Sequence, residues 1–133
     1  MNKHILTLTL LYIVFIIYIM FLANSGQANS LFDVINNIPY GDKFGHAILF
    51  GLMASGLSIA TNFSHYSIIG FKLYTGAIVI FLFALAEEFS QVYLPNRTFD
   101  LIDLFASFIG IFSFPAISYK LIPPKNRQNQ QSV

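Results

Sequence analysis

Seven side chains have the types and spacing to do chemistry: Asp42, Lys43, His46, Glu88, Gln91, Arg97 and Asp103. Asp42 and His46 are four residues apart, Glu88 and Gln91 three, and Asp103 and Ser107 four. On helices each of these pairs shares one face. A carboxylate beside an imidazole offers general acid and base catalysis. Arg97 carries a planar fork that matches a carboxylate or a phosphate, which makes it the natural counter-charge for Glu88 or Asp103. The same set, facing outward, suits a lipid headgroup or phosphate. His46, Glu88 and Asp103 are metal-ligand types, but no H-E-x-x-H or comparable spacing joins them, so neither a metal nor a cofactor is expected. Ser90 has no base on its own face, so no nucleophile stands out. Each residue also has a plainer role. Gln91 and Ser107 read as hydrogen bonds between helices, Asp42 and Asp100 as helix caps, and Lys43 as a snorkelling side chain.

What makes these residues conspicuous is the scarcity of charge elsewhere. Of 133 residues, 10% are charged and 56% are apolar, with a mean hydropathy of +0.66. Soluble domains carry about 25% charged residues, so the composition predicts an integral membrane protein. Four of the six acidic residues fall between Glu87 and Asp103. Ionisable groups in or beside a membrane span are costly and point to function. Cysteine is absent, which excludes disulfides and thiolate chemistry, and a net charge of +1 without a basic stripe predicts no nucleic-acid partner.

Four apolar runs supply the elements: Ile5–Ala23, Phe44–Phe63, Phe71–Leu94 and Leu101–Tyr119. Each approaches the roughly 20 residues a helix needs to cross the hydrocarbon core. The first exceeds the usual signal-peptide core of about 7 to 15 residues and reads as an uncleaved span. The expected fold is therefore all-α, a single four-span bundle over 1–119, followed by a disordered polar tail, 120–133. Between the first two runs, Leu31, Phe32, Ile35 and Ile38 suggest a short interfacial helix. Ala47, Gly51, Ser55 and Ser58 form a stripe of small side chains that admits a neighbouring helix closely. Lys3, Lys72, Lys120, Lys125 and Arg127 would share one side, against Lys43 and Arg97 on the other. By the positive-inside rule both termini are then cytoplasmic. His46, Glu88 and Asp103 would lie in one shallow layer below the outer surface, on three different helices.

These motifs together resemble the VanZ-like family of small bacterial membrane proteins, named for an accessory protein of teicoplanin resistance. The family pattern has D-K-x-x-H opening the second span, here Asp42-Lys43-Phe44-Gly45-His46. E-x-x-Q follows as Glu88-Phe89-Ser90-Gln91, and the Pro-x-Arg turn as Pro95-Asn96-Arg97. The last element, D-x-x-x-N-x-x-G, is matched by Asp103 and Gly110, with Ser107 in place of the usual Asn. The resemblance covers Asp42 to Gly110. It implies a multi-span protein of the bacterial cytoplasmic membrane with a role at the cell envelope, touching glycopeptide susceptibility in the named member. Three classes of function stay open at this point: a binder of a membrane lipid or lipid-linked ligand, a small membrane enzyme using His46, Glu88 and Asp103 as acid and base, and a structural or assembly subunit.

Overall fold

In the computed structural model residues 2–25, 37–95, 98–122 and 124 are described. Helix α1 spans Lys3–Asn24 and α2 spans Gly41–Ala60. Strands β1 (His65–Ile68) and β2 (Phe71–Tyr74) form a hairpin, and helices α3 (Thr75–Gln91) and α4 (Leu101–Leu121) complete the elements among the described residues. The expected interfacial helix around Leu31, Phe32 and Ile35, the tail and Arg97 lie outside the described residues.

Three of these helices, α1, α2 and α4, are long and apolar enough to cross a membrane. Helix α1 shows most plainly why water is the wrong solvent. Thr9 and Ile16 are buried, but Leu8, Leu11, Val14, Phe15, Tyr18 and Phe21 are all exposed along its outer surface.

Helix α2 is the hub. It packs most extensively on α4 and also touches α1 and α3. The small-residue stripe explains how α4 comes so near. A side chain added at Gly110 of α4 would run into the backbone carbonyl of Ala47, and Ser55 hydrogen-bonds Ser118 across the same seam. Ser58 belongs to a different contact: a Cβ on Gly76 of α3 would lie 2.6 Å from its hydroxyl. Around these close approaches Phe50, Met53, Ala54, Ala77, Ile80 and Ile111 form the dry core.

The third apolar run is where the structure corrects the sequence. Phe71–Leu94 is not one helix. Its first four residues are strand, paired antiparallel with His65–Ile68 in the register Ser67↔Lys72 and Ile68↔Phe71. The expected link Ser64–Gly70 is thus half of a hairpin, and α3 is only 17 residues long. Aromatic and β-branched residues favour strands as readily as they favour lipid. The two-residue turn, Ile69 (φ 50°) and Gly70 (φ 81°), has the left-handed geometry that matches strand twist. The hairpin caps one end of the bundle, where Tyr119 packs against Phe63 and Tyr74 and Lys72 lies 4.5 Å over the Tyr119 ring.

Candidate functional site

At the opposite end the first turns of α2 and α4 meet the last turn of α3. Tyr40, in a left-handed conformation (φ 60°), precedes α2 and sets Asp42, Lys43 and His46 into its opening turns. Asp100 caps α4, its Oδ1 accepting from the Ile102 amide at 2.8 Å, and Asp103 lies in the turn that follows. Carboxylates at helix starts are favoured by the positive end of the helix dipole.

Lys43 ties the two helix starts together. Its Nζ donates to Asp42 Oδ2 at 2.7 Å, Asp103 Oδ1 at 2.8 Å and Asp100 Oδ2 at 3.1 Å. A lysine read from the sequence as snorkelling is instead the shared counter-ion of three carboxylates, two of them about sixty residues away. Asp100 holds its carboxyl below the usual range, first through the Ile102 amide and then through Lys43. Asp42 sits inside the first turn rather than capping α2.

Helix α3 contributes the most deeply buried polar groups. Glu88 is 1% exposed, and its Oε1 accepts from the Asp100 amide at 2.7 Å. Gln91 is also buried; its Nε2 donates to Glu87 Oε1 at 2.9 Å and, more weakly, toward Glu88 Oε2 at 3.5 Å. His46 Nδ1 lies 3.3 Å from Ser107 Oγ, and its ring stacks on Phe50. The hydroxyl of Ser107 on α4 thus reaches the histidine on α2.

Six of the seven candidate residues are thus drawn to one end of the bundle, and Arg97 lies outside the described residues. Glu87 is the residue that spacing missed. A carboxylate oxygen of Glu87, one of Glu88 and a ring nitrogen of His46 all lie within 4.8 Å of one another. The signal available was its i, i+4 relation to Gln91. The expected metal-type set of His46, Glu88 and Asp103 divides differently in space, because Asp103 belongs to Lys43.

Among the described residues five carboxylates (Asp42, Glu87, Glu88, Asp100 and Asp103) and one lysine gather at this end. Such an end attracts cations and ammonium groups, or ligands that bring a cation with them. Exposed Phe44, Phe89 and Tyr93 on the helix ends that carry it add an apolar surface. No protein-family model, no curated protein and no solved structure matches this chain.

Proposed function

We propose that this chain is a VanZ-like protein of the bacterial cytoplasmic membrane that binds a lipid or lipid-linked envelope-precursor headgroup at its polar end. In this reading all four helices cross the membrane, both termini are cytoplasmic, and the Lys43–Glu88 end faces outward. Helix α3, at about 1.5 Å per residue, is short for a core of about 30 Å. It suffices if its polar end lies at headgroup depth.

The observation that carries the reading is the burial of Glu88, Gln91, Asp103 and Ser107 at one end of the bundle, whereas the other buried polar residues described, Thr9, Ser55 and Ser58, are small hydroxyls. Packing alone does not call for that much polarity at one level. The surplus of carboxylates favours a headgroup with an amine or one accompanied by a divalent cation.

Lipid extracted from protein purified in mild detergent tests this. Wild type should retain one headgroup class that a folded His46→Ala, Glu87→Gln variant loses. An identical lipid complement in both proteins would refute the headgroup reading. Cysteines at Asn29 and Asn126 test the orientation with an impermeant thiol reagent: position 29 should label in intact cells and position 126 should not. A host expressing the protein should also shift in teicoplanin susceptibility.

A second reading draws support from the proximity of His46 to Glu87 and Glu88. An imidazole and a carboxylate so close can act as acid and base on a bound lipid. Conversion of the co-purified lipid by pure protein distinguishes this enzyme from a binder.

A further inference from the structure

We propose that His46, Glu87 and Glu88 form a binding site for a divalent metal ion of the zinc class. Three independent features converge on it.

Donor geometry is the first. One imidazole nitrogen and one oxygen from each carboxylate lie within 4.8 Å of one another. Ligands about 2.1 Å from a zinc ion are at most about 4.2 Å apart, so small side-chain adjustments close the three onto one ion. A nitrogen with two carboxylates suits zinc or a neighbouring transition metal. Magnesium and calcium prefer all-oxygen sites.

The second feature is an orphaned atom. Glu87 Oε2 is shielded from solvent and meets no hydrogen-bond donor among the described residues, although Oε1 of the same carboxylate is held by Gln91. A desolvated carboxylate oxygen without a partner is costly. A metal ion at the triad supplies that partner.

The third is the placement of both glutamates in the last turn of α3. That is the negative end of the helix dipole, and no basic residue lies in the turn to offset it. Lys43, the lysine across the cluster, is engaged with three aspartates. A cation bound at this turn would meet the negative end of the helix dipole.

The surroundings also orient each ligand, as metal sites require. Glu88 Oε1 is anchored by the Asp100 amide and Glu87 Oε1 by Gln91. The contact of His46 Nδ1 with Ser107 Oγ at 3.3 Å and the stacking on Phe50 hold the imidazole ring in place. Three protein ligands on a tetrahedral ion leave one position for a small oxygen donor. A phosphate oxygen would fit that position, which would let an acidic pocket hold an anionic headgroup. The metal site itself needs no lipid.

Zinc titrated into metal-stripped protein in detergent, with no lipid added, tests the site. One zinc per chain should bind, and tenfold excesses of magnesium or calcium should not displace it. His46→Ala and Glu87→Gln should each weaken binding at least about 10-fold, since even partners outside the ligand set cost about 10–100-fold. A His4→Ala, His65→Ala protein should bind as wild type does. Circular dichroism and gel filtration establish that the variants fold. X-ray absorption at the zinc edge of wild type should show one imidazole with oxygen donors, and it needs no variant. Absence of saturable binding, binding indifferent to both folded variants, or an edge spectrum without imidazole overturns the proposal. Zinc binding with a lipid complement indifferent to Glu87→Gln would sink the headgroup reading alone.

Discussion

Replacing Lys43 by methionine keeps the length of the side chain and removes the charge that three aspartates share. The cost follows from how well each carboxylate is otherwise solvated. The side chain of Asp42 is 47% exposed and that of Asp100 34%, so water can take over much of what Lys43 provides. Exposed pairs of this kind contribute about 0–1 kcal/mol each. Asp103 is different. Its side chain is 10% exposed, and that of Lys43 is 19% exposed, so loss of the lysine strands a largely buried charge. Breaking a buried pair from one side costs about 3–5 kcal/mol. Lys43→Met should therefore destabilise by about 3–5 kcal/mol, with Asp103 dominating. Adding Asp103→Asn, which needs no counter-charge, should recover about 2–3 kcal/mol of that, the upper part of the range for contacting residues. Adding Asp42→Asn should recover less than about 1 kcal/mol. Reversible unfolding in mixed micelles gives all four values of each cycle. If both double variants recover equally, the burial argument is wrong. If Lys43→Met costs under about 1 kcal/mol, the lysine does not fasten α2 to α4.

Asp100 sets a pH dependence. Its carboxyl is held below the unperturbed 3.8 by the Ile102 amide and Lys43, so its contribution is complete above the unfolded value and is lost as pH falls through the lower folded one. Asp100→Asn should flatten the acid limb of a melting-temperature profile below about pH 4. Gly110→Ala should push α4 off the Ala47 carbonyl and cost at least about 1–3 kcal/mol, whereas Gly45→Ala, with open space at its Cβ, should stabilise by up to about 1 kcal/mol in the same micelle unfolding assay. Ile69→Asn should relieve a β-branched residue from a left-handed turn by about 1 kcal/mol. Hydrogen exchange at the hairpin amides should then slow about 5-fold.

Where the sequence was legible, the relevant physics was local. Ala47, Gly51 and Ser55 recur at helical spacing, and such a stripe has one use, a close helix neighbour. Ser107 read as a hydrogen bond between helices, and the structure joins it to His46 of α2. Elsewhere local patterns were insufficient. Phe71–Tyr74 is as apolar as a span, and its turn puts Ile69 where Asn would have announced a hairpin. Glu87 and Glu88 are adjacent, so on a helix they point about 100° apart; only the position of α2 shows that both reach His46. Lys43 and Asp103 are separated by 60 residues, a pairing that no spacing rule registers.

That separation also has a consequence for how the chain is made. Lys43 leaves the ribosome 57 residues before Asp100 and 60 before Asp103, and the groove at Ala47 and Gly51 waits equally long for Gly110. Closing contacts between such distant residues is slow, and until they close the unfinished chain exposes surfaces that stick to the wrong partners. Helix α4 is thus the last segment synthesised within the bundle and the first on which α2 depends. A nascent chain halted after α3 carries a lysine still short of two of its three carboxylates and an open groove, both features by which quality control can recognise unfinished work.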